Sequence, residues 1–388
     1  MRALYGPRPF LPGFRPIFGP GRQARVKQWH ETREVLDRLA ALQRSGTQAA
    51  LATVVRVVGS AYRHEGAKLL VAEDGGTTGN VSGGCLEQDV REVALQVIRS
   101  GAACIRSYCS GNDEIEAWDL GLGCEGRVDV FVEPAPVARP REQALLDGRA
   151  AFAVCTLIDE KPDEGRGKRA IVTRESVEGD LGSPALTAQV AQRARASLGM
   201  ERSGLHEIAG RMVFCDVLLP PPQLVVCGAG EDAAPLVRLA GEVGFRVVVV
   251  DRRPAFLTVE RFARATRMVA CEAAGLARAV ALDASSYAIV MTHNFADDHA
   301  YLRALLQTPV AYIGMLGPRQ RTERMLRDVG LAEPLDEARV YGPVGLDIGT
   351  DGAEQVALAV VAEILAIRSG RRPQSLRERA APIHAPAD

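Results

Sequence analysis

The chain has no CxxC pair, no excess of charge of either sign and no apolar run long enough to cross a membrane, and each absence closes off a class of function. Its 47 Lys and Arg stand against 48 Asp and Glu, so no global basic field draws it to nucleic acid or an anionic membrane. Any anionic ligand must be met by a local site. Eight cysteines, at positions 85, 104, 109, 124, 155, 215, 227 and 271, follow no spacing that suggests a disulfide framework or a zinc site. Reduced thiols in a cytoplasm are expected. No window reaches the roughly 18 apolar residues of a membrane span, since even "VALAVVAEILAI" carries Glu363, and prolines and arginines break up any signal-like core at the start. The expectation is a soluble protein with no nucleic-acid partner and a flexible tail over residues 1–25.

What is present reads as two domains, for which 388 residues suffice. "AALATVVRVVG" is rich in β-branched residues and bounded by glycine, as in a buried strand, and "AKLLVAEDGG" is a second strand closing in a turn. Apolar residues at Leu86, Val90, Val93, Ala94 and Val97 recur at helical spacing up to Gly101, and "RVDVFVEPAP" returns as a strand. The same order of patterns recurs from "AFAVCTLIDE" to "RMVFCDVLLPPP", which predicts a duplicated unit within residues 31–222. Gly79 to Val90 spans 11 residues against 8 from Gly182 to Val190, so the second copy is expected to lack the cysteine loop of the first. Consecutive prolines in "LLPPPQ" mark a linker, after which strand and helix patterns alternate as in a parallel sheet. The fold class is α/β: an N-terminal α/β domain with an internal duplication, residues 26–222, and a C-terminal Rossmann-like parallel-sheet domain, residues 223–388.

Two glycine loops carry the chemistry. In "GNVSGGCLEQDV", Gly83 and Gly84 free the backbone to turn, and Cys85 stands at the start of a helix, where the dipole favours a thiolate. The alternative is a small packing cysteine. Glu87 lies two residues on, and "GLGCEG" sets Cys124 in a second glycine turn. In the second half, "GAGEDA" is a GxGxxA loop between a strand and a helix, with Asp251 at the end of the next strand. Gly228 suits the tight turn, Gly230 the approach of a diphosphate and Asp251 the ribose hydroxyls, while Arg252 and Arg253 leave the 2′-hydroxyl or 2′-phosphate preference open. "MTHNFADDH" follows a strand of the same sheet; His293 and Asp297 could act as acid, base or anchor, or Asn294 or Asp297 could cap the next helix with His293 packed beside it. Arg319 and Arg321, near the next helix start, could meet a phosphate or lie in solvent.

"VVRVVGSAYRHEGAKLLV", "GNVSGGCLEQDV" and "DLGLGCEGRVDVFVEP" resemble the N-terminal domain of the XdhC/CoxI family, accessory proteins of xanthine dehydrogenase and carbon monoxide dehydrogenase. "VVCGAGEDAAPL", "YIGMLGPRQRTERML" and "GPVGLDIGTDGAEQVALAVVAEILA" resemble its Rossmann domain, and the similarity runs over roughly residues 31–372. The resemblance implies a cytoplasmic factor that binds the molybdenum cofactor, as molybdopterin or its dinucleotide form. Such a factor supports sulfuration with a cysteine desulfurase and delivers the cofactor to a molybdenum hydroxylase; a homodimer is expected. On that reading Gly83, Gly84, Cys85, Glu87, Cys124, Gly228, Gly230, Asp251, His293 and Arg319 are the cofactor-binding candidates, with Cys85 near the molybdenum. Cys85 could also relay sulfur as a persulfide. Where the family often has histidine after GAG, this chain has Glu231, an unfavourable neighbour for a phosphate. The competing reading is an NAD(P)-dependent oxidoreductase using the loop at Gly228, with His293 and Asp297 in catalysis; it leaves the cysteine loop without a role.

Overall fold

The computed structural model describes residues 27–59, 61–109, 126–136, 140–159, 165–330 and 339–379. Of these, the residues up to Pro221 together with those from Gln374 form one compact unit, and Pro222–Pro373 form another.

In the first unit, helix α1 (Gln28–Arg44) precedes strands β1 (Ala49–Gly59), β2 (Lys68–Ala72) and β3 (Thr77–Gly79). Helix α2 (Glu87–Ser100) and strands β4 (Cys104–Cys109) and β5 (Gly126–Pro134) complete one copy. The second repeats it as α3 (Pro140–Asp147), β6 (Phe152–Leu157), β7 (Arg169–Val172), β8 (Val177–Gly179), α4 (Pro184–Gly199), β9 (Gly204–Ile208) and β10 (Arg211–Leu218). The sheets have the same strand order, β3-β2-β1-β5-β4 and β8-β7-β6-β10-β9, and every pairing is antiparallel. Apolar residues at helical spacing put Val90, Ala94 and Val97 of α2 onto β1 and β5, and Gly101 ends the helix in the left-handed region with its amide donating to Val97.

Strand register fixes which residues correspond. Lys68 faces Thr53 in β1 as Arg169 faces Thr156 in β6, and Leu69 faces Gly79 as Ala170 faces Gly179. A side chain at Gly79 would meet the Lys68 carbonyl at 2.3 Å, and one at Gly179 the Arg169 carbonyl at 2.4 Å. The counterpart of Gly79 is therefore Gly179, three residues before the glycine that the sequence pattern suggested. From there Val90 and Val190, both fully buried, are equally distant. The second copy does not drop the loop: it keeps the length and replaces Gly83-Gly84-Cys85 with Ser183-Pro184-Ala185.

The copies exchange charges across their seam. Lys68 of the first pairs with Asp216 of the second, and Arg169 of the second pairs with Glu133 of the first. Since Glu133 lies opposite Leu51 and Asp216 opposite Val154, each two residues before the matched threonine, the contacts are equivalent and reciprocal. That reciprocity is the mark of an isologous interface, here built within one chain.

The second unit is a six-stranded parallel sheet, ordered β13 (Arg267–Ala270), β12 (Arg246–Asp251), β11 (Gln223–Cys227), β14 (Ser286–Val290), β15 (Tyr312–Met315), β16 (Val340–Tyr341). β11 and β14 are buried along their whole length, as strands covered on both faces are. Among the described residues its helices are α5 (Ala233–Glu242), the short α6 (Leu276–Ala279), α7 (Phe295–Leu306), α8 (Arg319–Asp328) and α9 (Ala353–Ser369). Strand order reverses between β11 and β14, which opens a crevice at their carboxyl ends.

Candidate functional site

The candidate residues fall into two groups, one in each unit. In the first, the loop from Val81 to Leu86 is held by side chains. The Glu87 carboxylate accepts from the amides of Ser82 at 2.8 Å and Val81 at 3.3 Å, and from the Ser82 hydroxyl. Ser82 Oγ accepts in turn from the amides of Gly84 at 3.0 Å and Leu86 at 3.1 Å. Gly84 has φ +118°, and the Tyr62 ring lies over Gly83, where a side chain would come within 3.3 Å of it. Cys85 is half-buried just before Leu86, the N-cap of α2, which makes no side-chain capping bond. It packs against the core cluster that includes Val81, Leu86 and Val90. Both readings of this thiol thus describe part of its surroundings.

The second copy is the control. Leu181 donates to Thr187 Oγ1 at 3.2 Å as Val81 donates to Glu87, so the loops share a hydrogen-bonding plan. There Ser183 caps α4 by accepting from Leu186 at 3.2 Å, with Pro184 at the first helical position, a standard start for a helix. The first copy gives up that cap and presents Gly-Gly-Cys instead.

Glu87 is turned into the loop and positions it. Burial alone would raise its pKa, but the Ser82 hydroxyl and amide, with the amides of Glu87 and Val81, outweigh it and hold the carboxyl below its ordinary 4.5. A folded pKa lowered in this way stabilises the fold above about 4.5 and is lost as pH falls through the folded value. The stability gap between wild type and Glu87→Gln is therefore expected at about pH 7 and to close as the pH falls below the lowered folded value, measured by thermal unfolding. Cys124, the other thiol candidate, lies outside the described residues.

In the second unit, Gly228 ends β11 with φ +122°, and a side chain there would meet the Met291 carbonyl oxygen at 2.5 Å and the Thr292 nitrogen at 2.9 Å. Gly228→Ala is expected to cost about 2–4 kcal/mol, from strain at positive φ and overpacking together, read by urea unfolding. Asp251, at the end of β12, is only 3% exposed, and both of its oxygens are engaged. Oδ1 accepts from the Arg253 amide and Nε, each at 2.9 Å; Oδ2 accepts from the Ala229 amide at 2.8 Å and Arg253 Nη2 at 3.0 Å. Burial raises the Asp251 carboxyl, but the Arg253 side chain and amide and the Ala229 amide outweigh it and hold its pKa below the usual value. The Arg253 guanidinium lies 4.0 Å from the Phe256 ring centre.

His293 follows β14 in the left-handed region, φ 61°, and its Nε2 hydrogen-bonds Asp232 Oδ2 at 2.7 Å. Asn294 is the cap of α7, accepting from the Asp297 amide at 3.0 Å, while Asp297 itself pairs with Arg252 at 3.0 Å. Arg319 opens α8 on the exposed surface. Arg321 is turned away to the buried Asp298, at 2.6 Å, which also accepts from the Thr292 amide and hydroxyl. Sequence reasoning missed Tyr62, Ser82 and Asp232. Ser82 and Asp232 stood in the quoted loops, while Tyr62 reaches its loop only through the fold.

Together these parts define a two-unit protein: a duplicated antiparallel domain with the half-buried Cys85 at the start of α2, followed by a Rossmann domain. Residues 42–108 match the XdhC and CoxI family, and residues 224–364 match the XdhC Rossmann domain. A Bacillus subtilis protein named as a probable xanthine dehydrogenase component is 31% identical over 336 residues, covering 85% of this chain and 96% of that protein. The molybdenum cofactor insertion chaperone PaoD of Escherichia coli is 24% identical over 328 residues, covering 84% and 85%. A crystal structure described as a xanthine dehydrogenase from Bacillus halodurans superposes with a TM-score of 0.73 at 28% identity, covering 88% of this chain and 98% of that one. The chain belongs to the XdhC and CoxI family.

Proposed function

We propose that this chain binds the molybdenum cofactor, supports its sulfuration and inserts it into a molybdenum hydroxylase of the xanthine dehydrogenase or carbon monoxide dehydrogenase type. The observation that carries the reading is the exchange at the start of α2, where a loop of unchanged length trades a capping Ser-Pro for a displayed Gly-Gly-Cys. A role in packing alone would be served by the alanine that the second copy has. The name of the Escherichia coli relative, a molybdenum cofactor insertion chaperone, points the same way.

In this role Cys85 Sγ is a soft ligand suited to molybdenum, and Gly83 and Gly84 allow a close approach of the backbone. Ser82 and Glu87 hold the turn that aims the thiol. A cysteine desulfurase supplies the sulfur, and the protein works in the cytoplasm as a homodimer. The test is transfer: wild-type protein loaded with cofactor is mixed with an apo-hydroxylase, and enzyme activity is followed. Faster or fuller activation than free cofactor gives is expected; activation no better than free cofactor would count against insertion.

A further inference from the structure

The Rossmann fold and its GxGxxA loop imply a dinucleotide, and the residues of the crevice do not fit one. A dinucleotide needs two things of this loop: an acid free to accept from ribose, and clear space over the second glycine for the diphosphate. Asp251 offers neither oxygen, since four donors from Ala229 and Arg253 already hold them and its side chain is 4% exposed. The space over Gly230 is filled. A side chain built on that glycine would lie 2.5 Å from Asp232 Oδ1, and the other oxygen of the same carboxylate is held by His293. Glu231, 93% exposed and paired with Arg261, puts a second negative charge beside it. A diphosphate entering here would meet the Asp232 carboxylate in the space it needs, while the charge of Glu231 is largely screened by solvent and offset by Arg261.

We infer that Asp232 occupies, from within the chain, the seat that a diphosphate takes in a Rossmann crevice, so that the C-terminal domain excludes NAD(H) and NADP(H). The carboxylate serves instead to fix His293, whose left-handed backbone at φ 61° is a conformation that persists only where neighbours impose it. The ligand class left to the crevice is one without a diphosphate, met by the 60%-exposed imidazole. This inference does not depend on the role of Cys85, and either can fail alone.

The test titrates the full chain with NADH and with NADPH, followed by nicotinamide fluorescence. Wild type is expected to show no saturation up to about 1 mM, and Asp232→Ala to bind at least about tenfold more tightly, a gain of about 1.4 kcal/mol. Asp232→Asn keeps the volume but not the charge and is expected to move in the same direction, which covers the case of an alanine variant that fails to fold. Saturation of wild type below about 100 μM would overturn the inference. So would wild type and folded Asp232 variants that all fail to bind, because Asp232 would then not be what bars the crevice.

Discussion

Arg169→Met is expected to destabilise the N-terminal unit by about 3–5 kcal/mol, the usual cost of leaving one charge of a buried pair behind. Arg169 is 9% exposed and Glu133 4%, and Arg169 Nε also donates to Thr156 Oγ1 at 3.2 Å. Removing the cation leaves the Glu133 carboxylate in a seam between two sheets without the guanidinium that balanced it. Lys68→Met, the equivalent change in the other copy, is expected to destabilise as well, since it leaves the Asp216 carboxylate behind. There Asp216 keeps hydrogen bonds from Gln28 Nε2 at 3.2 Å and from Ser203 Oγ at 3.3 Å. Urea unfolding followed through Trp29, buried with its ring edge-on to Phe152 at 6.1 Å across the copies, reads both variants. A loss below about 1 kcal/mol for Arg169→Met would show that the seam is not the stabilising element argued here.

Cys85→Ala is expected to leave stability within about 1 kcal/mol of wild type while lowering cofactor retention at least tenfold, or about 1.4 kcal/mol of binding. The first half of that expectation comes from the molecule itself. Ala185 occupies the matching place in the second copy, on a loop of the same length with the same bond from its first residue to the sixth that follows. Alanine is therefore compatible with the scaffold, and a partial loss of thiol packing against the adjoining core is small beside a cavity made in a closed core. A variant that unfolds would return Cys85 to a packing role.

Local patterns made most of the fold legible. β1 and the parallel strands follow from β-branched runs bounded by glycine, and α2 follows from its apolar stripe and Gly101. The duplication was legible as a repeated order of patterns, but its register was not. Gly179 and Gly182 lie three residues apart, and only pairing with Ala170 singles out the first. That slip made a substitution look like a deletion, and so hid the comparison of Gly-Gly-Cys with Ser-Pro-Ala. Asp251 was legible in position and not in employment, because its donors come from Arg253 and from Ala229, which approaches only when the glycine loop closes. Tyr62 over Gly83 was not legible at all: 21 residues separate them, and the folded sheet brings them together.

The most direct measurement is the molybdenum and pterin content of the protein after incubation with molybdenum cofactor and gel filtration, with wild type beside Cys85→Ala. The account predicts that both elute as folded protein, that wild type carries molybdenum and pterin together, and that the variant carries little of either. Wild type that emerges without cofactor, or a folded variant that retains as much as wild type, would contradict it.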